Sequence, residues 1–412
     1  MDIVNKITDE YENYVIDLRR YFHSYPECSW DEKNTSKKIK SELNKFGIPF
    51  ESIANTGILV NIKGKETGKT VLLRADMDAI QVNECNNFDY VSKNKGIMHA
   101  CGHDGHMAML LGAAIVLNNI RDKIKGNIRL LFQPAEEVGE GAAMCIKEGV
   151  LDSVDNAFAI HLWSNVPYGM VAIEEGPIMS SADVFKIKIK GKGGHGAMPH
   201  ETIDSVLVAS SFVMSLQSIV SREVDPIEPL VISIGKLQAG SRFNVIANEA
   251  IIEGTSRCFN MSLREKLPNI IERILKNSTG VYNAKGELSY KFATPVTIND
   301  EKSVYRAKQV INKILGKDKI YKMNKNMVTE DFGYYLEKVP GALAFLGVGN
   351  ETLGSNYPQH HEKYNIDEKA LKIGVKLYCE YALDFLIVRY IKNQVILIKY
   401  NKRLLQAELI LI

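Results

Sequence analysis

The chain contains 412 residues, with 51 basic and 49 acidic side chains that leave a formal net charge of +2. This length exceeds the usual size of a single hydrophobic core, so we expect two domains. The balanced charge excludes the concentrated basic face of a nucleic-acid-binding protein.

Neither a membrane span nor an export signal is expected. No uninterrupted apolar run reaches the roughly 18 to 20 residues that cross a membrane, and the amino terminus, MDIVNKITDEYENYV, is charged. The six cysteines follow no disulfide-framework spacing. We therefore expect a reducing, cytoplasmic location without a membrane partner.

Apolar strand-like runs alternate with helical patterns over the first 180 residues, which is typical of an α/β protein with a mostly parallel sheet. The predicted elements are strands at 58–62, 70–74, 127–132 and 157–161, and helices at 32–46, 104–119 and 140–149. Chemistry collects beyond the carboxyl ends of such strands. Three of these strands run into polar residues, namely Asp76 and Asp78, Glu136 and Glu137, and His161.

The pattern changes between Ser181 and about Pro295. The predicted elements there are a strand from 184, a helix at 202–221, strands at 230–237 and 250–259, a helix at 262–277 and a strand at 288–292. This βαββαβ order is that of a ferredoxin-like sandwich. We therefore predict an inserted ferredoxin-like α+β lid domain at 182–294.

The flanking segments, 1–181 and 295–412, are predicted to form one discontinuous α/β catalytic domain with a mostly parallel mixed sheet. A buried strand at 342–348 and a closing helix at 365–386 complete it. The final stretch, 391–412, receives no role.

The stretch MHACGHDGH, residues 98–106, concentrates three histidines, a cysteine and an aspartate, which favours a metal site over a chance polar helix entry. Cys101 and His103 are two residues apart, so both side chains can point the same way. Gly102 and Gly105 are expected to relax the backbone enough to let the ligands converge. A Cys–His nucleophile pair is a weaker alternative, because such pairs usually come from distant segments.

Eight of the nine histidines fall in four clusters, at 99, 103 and 106, at 161, at 195 and 200, and at 360 and 361. From these clusters, His103, His161 and one histidine of the pair at 360 and 361, together with Cys101 and Glu137, would suffice to bind two divalent ions with a water between them. Alone, His161 would be read as a core residue and the two glutamates as a solvated loop. After the rigid QPA turn, however, Glu136 and Glu137 point in different directions, so one can bind metal while the other takes a proton from water.

Eight motifs occur in order along the chain: RADMDA (74–79), MHACGHDGH (98–106), FQPAEE (132–137), GKGGHGAMPH (191–200), LQSIVSREVDP (216–226), NVI (244–246), TEDFGYYL (329–336) and YPQHHEKYNIDE (357–368). On these motifs the chain resembles the aminoacylase, hippurate hydrolase and auxin-conjugate (indole-acetyl-amino acid) amidohydrolase branch of the dinuclear metallopeptidases. The resemblance covers roughly residues 15–385. It implies cleavage of an N-acyl amino acid to a carboxylate and a free amino acid.

The resemblance implies a set of metal ligands and one general base and acid, Glu136. The implied ligands are Cys101, His103, Glu137, His161 and His360. His360 is selected over His361 because the family's ligand histidine precedes the glutamate of a DE pair, here Glu368, by eight residues. Gln359 in place of the usual leucine and Ala247 in place of the usual proline leave this set intact.

Asp76 and Asp78 stand where relatives use a ligand histidine and its supporting aspartate. Cys101 would compensate for the missing histidine, and the aspartates would support the ligands from behind.

Three lid residues are candidates for contact with substrate. The resemblance implies that His195 stabilises the oxyanion, from its own or a neighbouring subunit; without it, GKGGH reads equally well as an ordinary turn. Asn244 and Arg257 are candidates to bind the substrate carboxylate, with a surface salt bridge as the alternative for Arg257.

The implied cofactor is two divalent metal ions per subunit, Mn²⁺ or Zn²⁺, although Co²⁺ or Ni²⁺ also suit the mixed ligands. The expected partners are a small-molecule N-acyl amino acid and further copies of the chain, in a homodimer or homotetramer. The alternatives that stay open are an N-acetyl-diaminopimelate deacetylase, a catalytically dead metal- or ligand-binding protein, and a metal-independent thiol hydrolase that uses Cys101.

Overall fold

The computed structural model describes residues 2–386. The stretch at 391–412 lies outside the described residues, as does the end of the predicted catalytic domain.

The α-helices of the described part are numbered in chain order. They are α1 Asp2–Glu10, α2 Glu12–Ser24, α3 Lys33–Lys45, α4 His103–Asn119, α5 Gly141–Lys147, α6 Ser205–Ser218, α7 Met261–Gly280, α8 Glu301–Leu315, α9 Gly333–Leu336 and α10 Lys369–Leu386. The strands are β1 Phe50–Ile53, β2 Gly57–Lys63, β3 Glu66–Asp76, β4 Lys125–Gln133, β5 Asn156–Pro167, β6 Val171–Ala172, β7 Gly176–Met179, β8 Asp183–Lys190, β9 Gly194–His195, β10 Leu230–Ala239, β11 Val245–Ile246, β12 Glu249–Cys258, β13 Lys285–Phe292, β14 Thr297–Asn299, β15 Ile320–Tyr321 and β16 Gly341–Gly349.

The large sheet has eight strands in the order β1-β2-β4-β3-β5-β16-β6-β15. Its four central strands, β4, β3, β5 and β16, are parallel to one another. The pairs β1–β2, β2–β4 and β16–β6 are antiparallel. The predicted mostly parallel mixed sheet is therefore confirmed.

Helices cover both faces of this sheet. Val71 and Leu73 of β3 belong to one hydrophobic core, which α2, α4, α8 and α10 complete. Leu72 points the other way, into a second core with α5 and α9. Because both faces are buried, the central strands are apolar on both sides, which explains their continuous hydrophobic runs. The first turn of α4 contains His103 and His106, at the edge of the sheet where β3 ends.

A second sheet consists of four antiparallel strands in the order β10-β12-β8-β13. Helices α6 and α7 cover one face, where Phe185, Ile187 and Ile189 of β8 are buried. The intervening positions of β8 are more exposed, which is the alternation that the sequence predicts for a one-sided sheet. This βαββαβ unit confirms the ferredoxin-like arrangement.

By length and composition, one helical segment in the described residues could cross a membrane. It is Ser205–Glu223, with a mean hydropathy of 1.3. Val208, Phe212 and Leu216 on its inner face pack into the core of the four-stranded sheet. The segment therefore packs as a core helix on the four-stranded sheet. Such a core helix can be as long and as apolar as a helix that crosses a membrane.

Candidate metal centre

The strand ends of β3 and β4 bring two of the sequence-predicted pairs together. β3 ends at Asp76, which pairs with Gln133 at the end of β4. Asp78 follows β3, and Glu136 and Glu137 follow β4. The Asp78 carboxylate accepts the backbone N–H groups of both glutamates, each at 3.0 Å. One buried aspartate therefore fixes the backbone that carries both carboxylates.

The loop 98–102 leads into α4, whose first residue is His103. Gly102 has a left-handed φ of 92°, and a Cβ there would lie 2.7 Å from Tyr364 Oη. Gly105 differs from our expectation, because it lies inside α4. A Cβ at Gly105 would lie 2.4 Å from Leu162 Cδ1, so this glycine allows close packing and provides no backbone freedom.

His103 is oriented by a backbone carbonyl. Its Nδ1 donates to the carbonyl oxygen of Asp78 at 2.8 Å. Its Nε2 points toward Asp76 Oδ1 at 3.7 Å and Glu137 Oε1 at 3.9 Å. Burial opposes a charge on His103, but Asp76, Asp78 and Glu137 outweigh it and raise its pKa to about 10. The surroundings of Nε2 therefore favour a positive charge.

His161 lies inside β5, since the strand continues to Pro167 rather than ending at the histidine as predicted. Its Nδ1 donates to the Leu162 carbonyl at 2.8 Å, and its Nε2 lies 3.5 Å from Cys101 Sγ. Both His161 and His103 thus direct Nε2 inward, as metal-binding histidines with a backbone acceptor do.

The Cys101–His161 contact also bears on the thiol-nucleophile alternative. Burial, together with the carboxylates of Glu137 and Glu136, raises the pKa of the Cys101 thiol well above its usual range. Burial and the neighbouring His106 hold the pKa of His161 well below its usual range. An ion pair of thiolate and imidazolium is disfavoured on both sides. A bound cation is what would favour the thiolate here.

The segment after β16 brings His360 to the centre. Its backbone adopts a left-handed φ of 66°, and its Nε2 lies 3.5 Å from Glu137 Oε2. His361 is held elsewhere, because its ring stacks on Tyr357 and its Nδ1 accepts the backbone N–H of Lys363. The geometry therefore favours His360 over His361.

The five sequence-predicted ligands form two overlapping groups whose candidate ligand atoms lie within 4.8 Å of one another. They are Cys101 with His103 and His161, and Cys101 with Glu137 and His360. Two buried atoms at this centre, His103 Nε2 and Glu137 Oε1, have no hydrogen-bond partner in the described residues. Unpartnered buried polar atoms are rare. Nitrogen, sulfur and carboxylate donors in this arrangement fit divalent metal ions.

Asp76 and His106 stand behind these groups. Asp76 accepts from Arg74 Nη1 at 2.5 Å and from His106 Nδ1 at 2.6 Å. His106 Nε2 accepts the backbone N–H of Leu162 at 2.8 Å. Both ring nitrogens of His106 are thus engaged, so it positions β5 next to His161 and has no lone pair left for an ion. Burial opposes ionisation of Asp76, but Arg74 and the histidines hold its pKa well below the usual range.

Glu136 lies between His103 and Glu137, whose candidate ligand atoms are within 4.8 Å of its own, and a second acidic pair. Its Oε1 accepts the backbone N–H of Asp331 at 3.3 Å, and Glu330 and Asp331 bind Arg74 at 2.9 and 2.7 Å. Burial, followed by repulsion from Glu330 and Glu137, raises the pKa of Glu136 well above its usual range. Its surroundings thus favour a carboxyl group that holds a proton.

A cleft of about 770 Å³ opens over the centre, between the two sheets. Arg257 lies in its wall, where Nη1 donates to the Met327 carbonyl at 3.1 Å. Its lining residues are Cys101, Glu136, Glu137, Val138, Gly139, His161, Trp163, Asn165, Met179, Ala182, Val184, Val231, Arg257, Ala293, Thr294, Asn326, Met327, Val328, Thr329, Glu330, Pro358, Gln359 and His360. Four of the five predicted ligands, all except His103, therefore face one space together with Glu136 and Arg257.

His195 and Asn244 lie together but outside this cleft lining. They belong to a small two-stranded antiparallel sheet, β9 with β11, in which His195 pairs with Val245 and the Gly196 N–H donates to the Asn244 carbonyl. His195 is exposed, and its Nδ1 accepts the Ala197 N–H at 3.0 Å, which leaves the proton on Nε2. Within the described chain, the structure does not bring His195 to Glu136.

Sequence reasoning missed the positions behind the centre. Glu330 and Asp331 were quoted within a motif but received no role, and His106 was counted in a cluster without one. An adjacent acidic pair flanked by apolar residues was the available signal for Glu330 and Asp331, because buried carboxylates need a charged partner.

Comparisons with known proteins agree with this arrangement. A family model described as peptidase family M20/M25/M40 matches residues 72–384. Thermostable carboxypeptidase 1 of Saccharolobus solfataricus is 40% identical over 393 residues, covering 93% of this chain and 99% of the relative. An N-acyl-L-amino acid amidohydrolase of Geobacillus stearothermophilus is 43% identical over 298 residues, covering 72% and 80%.

A solved structure from Bacillus subtilis, described as a dinuclear metal-binding peptidase of the M20 family, is 33% identical with a TM-score of 0.81. It covers 92% of this chain and 99% of its own. The chain therefore belongs to peptidase family M20/M25/M40, and the family recognised from the motifs is confirmed.

Proposed function

We propose that the chain is a dinuclear metal-dependent amidohydrolase that cleaves N-acyl amino acids to a carboxylate and a free amino acid. The observation that carries the proposal is the pair of ligand groups that share Cys101, with Glu136 beside them in one cleft. Cys101, His103, Glu137, His161 and His360 are the proposed ligands, with Asp76 and Asp78 in support.

When bound, the ions would supply Lewis-acid polarisation of the amide carbonyl and of a water. Glu136 takes the proton from that water and passes it to the leaving amine nitrogen. Asp78 keeps Glu136 in place by binding its backbone N–H.

The proposed substrate fits the character of the cleft wall. Trp163, Met179 and Val231 make part of that wall apolar, and Arg257 supplies a guanidinium. A guanidinium binds a carboxylate with two parallel hydrogen bonds. We place the free carboxylate of the amino acid at Arg257. Asn244 lies with His195 outside this cleft lining, so as a second donor it would reach the carboxylate from the lid of a partner subunit.

We propose that the β9–β11 sheet of the lid acts across a dimer. His195 carries a donor at Nε2 but lies outside its own cleft lining, so a partner subunit's cleft is the natural place for it. β10 is an edge strand, and Leu207, Met214 and Phe243 are exposed apolar residues of the same lid. Exposed apolar surface and an open edge strand favour association with a second copy.

Two neighbouring activities remain as alternatives. Carboxypeptidase action is favoured by the name of the Saccharolobus relative, and it also breaks an amide bond next to a residue with a free carboxylate. Deacetylation of N-acetyl-diaminopimelate requires the cleft to accommodate the second, polar amino acid group at the other end of that substrate. A catalytically dead binding protein would have no use for Glu136 in this position.

The identity of the ions, the domain boundaries and the location complete the proposal. We propose Mn²⁺ or Zn²⁺ as the ions, with Co²⁺ or Ni²⁺ as substitutes, since mixed sulfur, nitrogen and oxygen ligands accept all four. The division into a catalytic domain at 1–181 and 295–412 and a lid at 182–294, and a cytoplasmic location, belong to the same proposal.

A substrate screen tests the proposal. N-acetyl, N-benzoyl and N-indoleacetyl amino acids, dipeptides and N-acetyl-diaminopimelate are each incubated with the Mn²⁺- and Zn²⁺-loaded protein, and the released amine is measured. We expect N-acyl amino acids to give the highest kcat/KM. Preference for dipeptides would establish the carboxypeptidase alternative instead, and no release from any substrate would contradict catalysis.

A further inference from the structure

His360 is held mainly through its backbone. About half of its side chain is exposed, 54%, and its Nε2 lies 3.5 Å from Glu137. Its backbone N–H donates to the Ala100 carbonyl at 2.8 Å. The position of this proposed ligand therefore depends on what holds the segment 357–368.

A buried arginine in α2 spans the distance between two ligand-bearing segments. Arg19 Nε donates to Asp104 Oδ2 at 2.8 Å, and Asp104 directly follows His103. Its Nη1 donates to Glu368 at 3.3 Å and its Nη2 to Asn365 at 3.3 Å, both beyond His360 in the chain. The Arg19 and Asp104 side chains are fully buried.

A second buried cation of α2 makes a parallel connection. His23 Nδ1 donates to Asp104 at 2.7 Å and His23 Nε2 donates to Glu84 at 3.0 Å, so both nitrogens carry protons. Burial and Arg19 oppose this charge, but Asp104 and Glu84 outweigh them and raise the pKa of His23. The next residue, Cys85, donates its backbone N–H to the Glu362 carbonyl at 2.9 Å. This second connection therefore reaches the segment 357–368 as well, at Glu362, two residues beyond His360.

We propose that Arg19 and His23 are positioning residues that hold the segment 357–368 against the first turn of α4, so that His360 reaches the ion it shares with Cys101 and Glu137. The inference rests on the proposed function. Fold stability alone does not explain these charges, because apolar residues of similar volume usually stabilise a core equally well. The placement of Arg19 and His23 between two ligand-bearing segments does explain these charges.

The test uses full-length protein that has been stripped of metal with a chelator and dialysed. It is titrated stepwise with Zn²⁺ alone, and the heat of binding is measured by calorimetry. His360→Ala first identifies the binding step that depends on His360. Arg19→Lys keeps the charge but loses the planar fork that bridges two partners. We expect it to weaken the His360-dependent step by about 10- to 100-fold, as loss of a ligand-supporting group does, and to leave the other step within about twofold.

Two further variants keep the test decisive. Glu368→Gln removes the far end of the bridge and leaves the Arg19–Asp104 pair, so it decides the matter if Arg19→Lys does not fold. It should weaken the same step. Arg20→Ala is the matched control, because Arg20 also binds Glu368 but is half exposed, and exposed pairs contribute little. It should leave both steps as in the wild type.

Folded Arg19→Lys and Glu368→Gln proteins that bind both equivalents like the wild type would overturn the inference. Equal weakening of both steps together with a lower melting temperature would also overturn it, because it would mean a purely structural role. A wild-type protein that binds no second ion would overturn the proposed function, and this inference with it.

Discussion

At the scale of single residues, the centre is organised by which ring nitrogen carries the proton. His103 and His161 each donate Nδ1–H to a backbone carbonyl, which turns Nε2 inward. His106 has the same Nδ1–H tautomer, but its Nε2 accepts a backbone N–H. Three histidines that all donate from Nδ1 thus have two different tasks, and only the surroundings of Nε2 distinguish them.

The two adjacent glutamates should separate cleanly by substitution. Glu136→Gln keeps the size of the side chain but removes the basic carboxylate, and general-base contributions are about 10² to 10⁴ in rate. We expect turnover to fall in that range with metal content close to wild type. Glu137→Gln should lose metal, because Glu137 Oε1 and Oε2 face His103 and His360.

Metal content by atomic absorption and initial rates on an N-acetyl amino acid provide the two readouts for both variants. Exchanged phenotypes, with metal lost in Glu136→Gln and retained in Glu137→Gln, would mean that the roles are inverted.

His23 predicts a pH dependence of stability. Its folded pKa lies above the unfolded value of about 6.5, because Asp104 and Glu84 outweigh the effects of burial and Arg19. The protonated ring therefore stabilises the fold fully below about pH 6.5, and this contribution is lost as the pH rises through the folded pKa. Urea unfolding of wild type and His23→Gln should show a larger difference at about pH 6 than at about pH 9. A difference that is constant with pH would show that His23 is uncharged in the fold.

Much of the residue-level site could be predicted from sequence, and the limits have a physical cause. Cys101, His103 and Glu137 are residue types that bind metal, and they occur in dense motifs. The composition of these motifs therefore indicates a metal site. Glu330 and His106 act through partners that are distant in sequence, Arg74 and Leu162. Such pairings exist only after the sheet has formed.

At the scale of elements, periodicity identified the strands and helices that carry the chemistry. Strands predicted at 70–74 and 127–132 are the buried cores of longer strands, β3 and β4, since the polar ends of a strand do not show in an apolar run. Helix α8 was not assigned. Its buried Val304, Ala307 and Ile311 follow a helical spacing, and Asp300 caps its first turn, so the signal was present.

The short elements at the sheet edges could not be predicted in the same way. β6 and β15 are two residues each and pair with each other in parallel. A run of two residues has no measurable alternation. Their pairing is set by the larger sheet on which they lie.

The two-stranded β9–β11 sheet supports a prediction about the lid. If His195 stabilises the oxyanion, it acts only in the transition state, so His195→Ala should reduce turnover by about 10² to 10³ with little change in KM or metal content. If it acts in the partner's cleft, mixed dimers of His195→Ala and Glu136→Gln should regain activity, because one of their two sites holds both intact groups. With subunit exchange verified, a mixture no more active than its parents would exclude action across the dimer.

At the scale of the whole molecule, two sheets with different architectures enclose one cleft. The large sheet and its loops supply the proposed ligands, and the four-stranded sheet supplies Arg257. His195 lies on the separate β9–β11 sheet of the lid, outside the lining of this cleft. Fold class was predictable because the switch from runs of apolar residues to alternation is visible in sequence. The position of His195 relative to the cleft was not predictable, because it depends on how the lid is arranged within one subunit or between two.

The lid surface predicts the oligomeric state. Met214 on α6 is 74% exposed, and α6 packs beside the edge strand β10. Met214→Glu should shift the protein from dimer to monomer, because a charge in an apolar interface is costly. Val281→Glu is the control, since Val281 is 76% exposed but lies before β13, at the opposite edge of the sheet. Sedimentation velocity at matched concentrations distinguishes the two. Unchanged dimer in Met214→Glu, or a monomeric wild type, would exclude this interface.

Reversible metal dependence tests the central claim most directly. The protein is stripped with a chelator, its metal loss is confirmed by elemental analysis, and hydrolysis of an N-acetyl amino acid is measured before and after Mn²⁺ or Zn²⁺ is returned. We predict that activity disappears on stripping and returns as two equivalents of ion are bound per chain. Activity that persists after confirmed loss of metal would contradict the dinuclear centre and leave the thiol of Cys101 as the reacting group.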